Sequence, residues 1–318
     1  MNYTNRGVIE GQRDEDYVAG IQSPLPYIVN VEGGNWRPYK PTPEFQTGSG
    51  LDRYNCVSQS GQNAIKMLLN EQISNNKISL TLYDWLKKNG YVDRYESVQF
   101  SVRFNTILNG TIPGRGNWLY KVGDDFRKSG LIPEAMLLDD NTISVAEYFD
   151  KKVITQEMLD MGQEFLKRIQ INYEWINDRS VEKLQYHLKQ SPIQIVINKG
   201  THAVAEILQE ADIYKYWDSY TPNEKQYPNS SPPTSFLKYI ISNKKTMTLK
   251  LWQGDIYLID ETSKFAWSIP EPKTLEKLKE HFKKQGIILS DEYEVFDPID
   301  YFVVHGGTYE SLRDFFNM

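Results

Sequence analysis

Apolar and small residues recur at Val57, Gly61, Ala64, Ile65 and Leu68, with offsets of four, three, one and three. That spacing marks one face at a 3.6-residue period and predicts a helix directly after the polar turn "LDRYN". Further helices are predicted at 79–88, closed by Asn89-Gly90, at 100–110, and at 114–130 with Gly130 as C-cap. Two more are expected near 155–170 and at 180–189. Residues 23–46 read as an extended arm with one short strand, Tyr27–Val31. After Pro192 the period shortens. "IQIVIN" (193–198), "HAVAEIL" (202–208) and "IYKYWDSY" (213–220) are short and β-rich. The stretch 221–235 holds four prolines and reads as a linker or long loop. Two strands are expected over 246–269, punctuated by Gln253-Gly254 and Thr262-Ser263, with a helix at 273–285. The pattern predicts an α+β chain, helical first and β-rich after Pro192, with 236–318 as a small C-terminal α/β module or extension.

Composition narrows the function classes. The 318 residues suffice for one large domain or two ordinary ones, and 40% hydrophobic with 25% charged residues is a globular composition. The net charge is −6 and no basic run is long enough to hold a phosphate backbone, so no nucleic-acid partner is expected. The Lys-rich stretch 275–286 reads as a solvated helix face. No apolar run approaches the roughly 18 residues of a membrane span, and the polar, acidic N-terminus lacks a signal-peptide pattern. A soluble, cytoplasmic protein is expected, and Asn2, Asn109 and Asn229 are chance glycosylation triplets. A single cysteine cannot form an intrachain disulfide. With four scattered histidines it is also too little for a closed zinc site, so neither metal nor cofactor is expected.

Three residues nonetheless suggest chemistry. Cys56 stands at the head of the predicted helix, where the dipole favours thiolate over thiol. A catalytic thiolate needs an imidazole held rigidly nearby, and His202 opens an apolar strand directly after "KGT". The imidazole needs an orienting acceptor, and Asp218 lies 218 − 202 = 16 residues on, on what would be the adjacent antiparallel strand. Trp217 and Trp252 are candidates to shield the pair from water. The bland readings stand beside these: a lone cysteine as a small core hydrophobe, a strand-opening histidine as a satisfied core residue. "GTIPGRGNW" lacks the Lys-Ser/Thr pair and preceding strand of a phosphate loop, and nothing singles out a glycosidase pair among 42 acidic residues.

Taken together, Cys56, "HAV" at 202–204 and the glycine-rich "GTIPGRGNWLYKVGDDFRKSGLIPEAML" (110–137) resemble the papain-like cysteine peptidases, in particular compact, disulfide-free bacterial and phage versions. The separation of 202 − 56 = 146 residues lies within the family's roughly 130–150. The resemblance covers about residues 40–220. It implies a two-lobed fold, a helical left lobe carrying Cys56 and an antiparallel β right lobe carrying His202 and Asp218. It implies a peptidase domain over 40–235, preceded by an arm or pro-segment (1–39) and followed by the extension 236–318. By the same resemblance Cys56 is the nucleophile, His202 the base and then acid, Asp218 the orienter, and Gln46 an oxyanion-hole donor beside the Cys56 N–H. Gly114, Gly116, Asn117 and Trp118 would line the cleft. The substrate would be a peptide or protein, with a protein partner for the C-terminal module. The chain departs from the family pattern in three places: Asp instead of Asn as third member, Val57 after the cysteine, and Gln46 ten residues before it, a longer gap than the family's. Asn55 or a main-chain group is the alternative oxyanion donor. Two other functions remain open: an inactive papain-like module with a structural role, virion-associated if phage-encoded, and a cell-wall amidase or transferase.

Overall fold

A computed structural model describes residues 8–9, 12–13, 16–19, 29–48, 51–139, 142–210, 213–228, 230, 232–243, 247–252, 255–260, 265–269, 272–284, 289–295 and 302–304. The chain divides into two compact units, Met1–Lys77 with Trp85–Ser242, and Ile78–Asp84 with Asn243–Met318.

The first unit is α+β. It begins with β1 (Val8–Ile9), β2 (Thr47–Gly48), β3 (Leu51–Asp52) and α1 (Cys56–Ser74). Next come α2 (Leu80–Lys88), which starts in the second unit, α3 (Val102–Leu108), β4 (Asn117–Trp118), α4 (Leu119–Ser129), α5 (Val145–Tyr148) and α6 (Gln156–Arg168). β5 (Ile169–Trp175) and α7 (Val181–Leu188) lead into β6 (Ile193–Ile197), β7 (His202–Glu210), β8 (Ile213–Trp217), β9 (Glu224–Pro228) and β10 (Ser235–Asn243). The six-stranded sheet has the order β5-β10-β6-β7-β8-β9. Its pairs from β10 through β9 are antiparallel.

Helix α1 lies against β6, β7, α3 and α4. The sequence predicts one apolar face, yet every residue from Cys56 to Gln72 is buried. A polar helix can sit there because many of its side chains find partners, although the Gln59 amide has no hydrogen-bond partner among the described residues. Gln194 Nε2 donates to Val57 O and to Ser60 Oγ, both at 2.8 Å. Gln62 Nε2 donates to Asn105 Oδ1 at 2.9 Å, and Asn70 Oδ1 accepts from Val98 N at 2.8 Å. Lys66 pairs with Glu44. Gly61 lets the sheet and α4 come close, since a Cβ there would lie 2.7 Å from the Tyr239 hydroxyl and 2.9 Å from the Phe126 ring. Gly130 caps α4 as expected, with φ of 75°.

Several expectations change. Of the strand expected at Tyr27–Val31, residues 27 and 28 lie outside the described residues and 29–31 are not strand. Helix α4 starts at Leu119, because 112–116 form a tight turn closed by the Gly116 N–H on Ile112 O. Strand β5 interrupts the helical half. Its alternation Ile169, Ile171, Tyr173, Trp175 carries the signal, and all four are buried. The proline-rich 221–235 contains the edge strand β9, a position that tolerates Pro228 because its outer side needs no ladder donor. The boundary expected at 235/236 cuts into β10, which belongs to the first unit's sheet.

In the second unit β11 (Met247–Trp252), β12 (Asp255–Asp260) and β13 (Phe265–Ile269) form an antiparallel meander, three strands where two were expected. After α8 (Pro272–Lys284), β14 (Leu289–Val295) adds in parallel to β11 and β15 (Phe302–Val304) in parallel to β13.

One buried group stands out. Glu206 on β7 is fully buried, and neither carboxylate oxygen has a hydrogen-bond partner among the described residues. Burial holds its carboxyl well above the usual range. A group whose folded pKa is raised contributes stability below its unfolded value, near 4.5, and loses it as pH rises. Glu206→Gln should therefore raise the unfolding midpoint at pH 7.5 by about 2 °C or more, with the gain vanishing toward pH 4. Thermal unfolding at the two pH values checks this.

Candidate active site

The turn before α1 aims its first residue. Tyr54 has a positive φ of 53°, and its N–H donates to Asp52 Oδ1 at 2.8 Å. Asn55 is the N-cap residue, with its side-chain amide donating to the Tyr148 hydroxyl at 2.9 Å. Cys56 is thereby the first residue of α1, and its N–H is one of the helix donors with no intrahelical carbonyl. His202 is placed by a second device. The reversal between β6 and β7 runs through Asn198, Lys199 and Gly200, all at positive φ, and pairs Ile197 with His202. The imidazole thus starts β7 on a fixed register. β8 ends at Trp217, so Asp218 lies one residue beyond the strand expected to carry it. Its N–H donates to Asn223 O at 2.7 Å, closing the turn into β9.

Cys56, His202 and Asp218 meet. His202 Nε2 lies 2.7 Å from Asp218 Oδ1, and the imidazole also hydrogen-bonds the Cys56 side chain, leaving Nδ1 as the nitrogen for the sulfur. Cys56 is fully buried, and His202 and Asp218 are each only 3% exposed. Burial alone would push His202 down. Its hydrogen bonds to Asp218 and Cys56, with the charge of the Asp218 carboxylate, outweigh it and push His202 up to about 10. Burial works against the Asp218 carboxylate as well, but His202 and Lys225 hold it below its ordinary range.

Gln46 is bonded to the residue that follows Asp218, despite its distance in sequence. β2 and β3 pair as a hairpin, Thr47 opposite Asp52, which absorbs the extra residues of the ten-residue gap. Beyond the hairpin, Arg53 N donates to Gln46 O at 3.4 Å. Gln46 N donates to Ser219 O at 3.1 Å, and Ser219 Oγ donates to Gln46 Oε1 at 3.0 Å. Gln46 Nε2 donates to Asp52 Oδ1 at 2.6 Å. These bonds fix which way the amide faces and leave it a second N–H.

Three contributors escaped the sequence reading. The ring over the imidazole is Tyr220, 5.2 Å between centroids, with its hydroxyl donating to Asp52 at 2.7 Å. Trp217, expected as the shield, instead carries Lys40 over its ring at 5.0 Å. Trp252 lies in the second unit, and its side chain is outside the described residues. Ser219 and Tyr220 directly follow Asp218 in sequence, and that adjacency was the available signal. The third, Lys225, carries none, because its proline-rich surroundings have the sequence signature of a loop.

Of the expected cleft residues, Gly114 and Gly116 sit in the tight turn at φ of 78° and 70°. Asn117 is buried, its amide spent on Asn109 Oδ1 at 2.6 Å and Thr111 Oγ1 at 3.2 Å. It braces the turn. Asn109 Nδ2 ties that turn to α1 through Ser58 Oγ at 2.9 Å. Trp118 is half-buried, its ring tilted 43° against that of Tyr120 at 5.7 Å between centroids.

No protein-family model matches the chain, and no curated protein matches it. Among solved structures it is similar to the digestive procathepsin L 3 of Tenebrio molitor larval midgut, at 12% identity and a TM-score of 0.44 over 75% of this chain and 77% of that one. It is also similar to a recombinant stem bromelain precursor, at 10% identity and a TM-score of 0.43 over 71% and 77%. A structure from work on the mite allergens Blo t 1 and Der p 1 gives 12% and 0.42 over 71% and 74%. The chemistry of the site stands on its own atoms and draws nothing from these likenesses.

The raised His202 pKa has a measurable consequence. Its stabilising contribution is full below the unfolded value of 6.5 and is lost as pH rises through about 10. The stability advantage of the wild type over His202→Gln should shrink steadily across that window. Denaturant unfolding of both proteins between pH 6 and pH 10 tests it, and a pH-independent difference would contradict the bonded geometry.

Proposed function

We propose that this chain is a papain-like cysteine peptidase. The observation that carries the reading is the hydrogen-bonded series Cys56–His202–Asp218, with the cysteine at a helix N-terminus. In this reading the Cys56 thiolate attacks the peptide carbonyl and His202 protonates the leaving amine. Water, deprotonated by His202, then releases the acyl group. Asp218 orients the imidazole through Nε2, which leaves Nδ1 for the proton in flight. The Cys56 N–H and the second amide N–H of Gln46 would hold the oxyanion. Gly114–Trp118 would form the wall along which substrate backbone lies.

A peptide carbonyl cannot reach a fully buried sulfur, so access requires some chain to move. Full burial is also what an inactive module of this fold would show. The N-terminal arm supports the peptidase reading. β1 pairs in parallel with β4, Val8 opposite Asn117 and Ile9 opposite Trp118, along the proposed substrate wall. The arm is anchored farther on by Arg13, whose guanidinium donates to Asp16 Oδ1 at 2.7 Å and to the Tyr173 hydroxyl at 2.8 Å, and pairs with Asp124 at 3.0 Å. In this account residues 1–39 act as a pro-segment.

Cys56→Ala should lower hydrolysis of a mixed peptide library at least ~10³-fold while thermal unfolding stays near wild type. Gln46→Ala should cost about 10²-fold in kcat, as one lost oxyanion donor does. Unchanged cleavage by purified Cys56→Ala would end the mechanism.

Removal of residues 1–11 leaves the Arg13 anchor intact. It should speed both Cys56 alkylation by iodoacetamide and peptide cleavage. Ile9→Pro in the full chain, which disturbs only the β1 pairing, should act in the same direction. Equal rates in all three proteins would remove the pro-segment role.

A further inference from the structure

The two oxygens of Asp218 are divided between two partners. Oδ1 faces His202 Nε2 at 2.7 Å and accepts the Tyr220 N–H at 3.3 Å. Oδ2 accepts from Lys225 Nζ at 2.7 Å. The ammonium lies near Asp218 because β9 pairs with β8 so that Lys225 lies opposite Tyr216, two residues before Asp218. Asn223 fixes the turn between them, its Nδ2 donating to Asp218 O at 2.9 Å. The lysine side chain is 25% exposed, so its charge is supported by solvent while Asp218 is buried.

The surrounding charges leave this role to Lys225. Glu224, its neighbour on β9, is engaged by Arg37 at 2.6 Å and Lys40 at 2.8 Å. Asp52, from the turn before α1, meets the site through the Tyr220 hydroxyl and the Gln46 amide. Cys56 faces the imidazole from α1. Tyr216 and Tyr220 are phenols near Asp218, both held above the ordinary tyrosine range, Tyr216 by burial and Asp218, Tyr220 by burial and chiefly Asp52.

In the reactive state the buried series without Lys225 would read thiolate, imidazolium, carboxylate, a net charge of −1 in a dry site. Such a site is costly, and it also holds the imidazolium proton too tightly. A general acid works best when its pKa is near the working pH. We propose that Lys225 is a positioning residue of the site. It fixes Oδ2 and offsets part of the charge of Asp218, so that His202 holds its proton less tightly than it would beside an unpaired carboxylate. This rests on the peptidase reading above.

The test compares wild type, Lys225→Met and Lys225→Arg, with Cys56→Ala alongside. The His202 ring is titrated by NMR on histidine-labelled full chain, and Cys56 alkylation by iodoacetamide is followed against pH. Lys225→Met should move the His202 midpoint upward by about half a pH unit or more, a ~3-fold gain in proton affinity. The upper limb of the alkylation profile should follow it. Lys225→Arg, which keeps the charge, should stay near wild type. A merely structural lysine would change stability without separating Met from Arg in the titration. Identical His202 midpoints in wild type and Lys225→Met overturn the proposal, as does an Arg variant that behaves like Met. A His202 midpoint that ignores Cys56→Ala would instead sink the Cys–His pair, and with it the peptidase reading, whatever Lys225 does.

Discussion

The structure depends on burying a polar helix at the centre of the first unit. α1 exposes none of its first seventeen residues, and nine of those carry amide, hydroxyl or charged side chains. Each unpartnered polar group there would cost about 1–3 kcal/mol. The surrounding elements are therefore held to α1 by directed bonds as much as by apolar contact. Gln194 fixes β6, Asn105 fixes α3, and Glu44 fixes the segment that leads to Gln46. Directed bonds carry register information that oil-like packing lacks. This explains how a cysteine on a helix and a histidine on a strand, 146 residues apart, come within one hydrogen bond of each other.

The same constraint decides what could be read from the chain. Cys56, His202 and Asp218 each stand where a local pattern breaks: a helix start, a strand start, a strand end. Such breaks are visible in a single sequence. The helix starting at Cys56 is found at its expected place, and its all-round burial is not, because Gln62, Lys66 and Asn70 look like a solvated face until their partners are known. Ser219 and Tyr220 were adjacent to a recognised residue and still missed, since a ring's position over an imidazole depends on the turn that follows β8. Lys225 was out of reach altogether. A lysine in a proline-rich stretch signals loop, and only cross-strand pairing with Tyr216 turns it toward the carboxylate.

The gap between Gln46 and Cys56 shows how length can mislead. Ten residues looked too many for one functional group, yet a hairpin of β2 and β3 returns the chain to its starting point. Closing a loop that is a few residues longer costs only a fraction of a kcal/mol. What fixes Gln46 is its bonding to Ser219 and Asp52, one on each side of its amide. The relevant separation is thus from Gln46 to Ser219, across 173 residues.

Electrostatics then closes the argument about the third member of the series. A neutral amide and a carboxylate can both accept from Nε2–H, but they leave different charges behind. With a carboxylate, the buried site can stay near neutrality only if a cation is supplied from outside the series. Here the cation comes from an edge strand, where its stem is sheltered and its head is partly wet. Asp218 and Lys225 thus form a pair, a buried acceptor and the partly exposed counter-charge beside it.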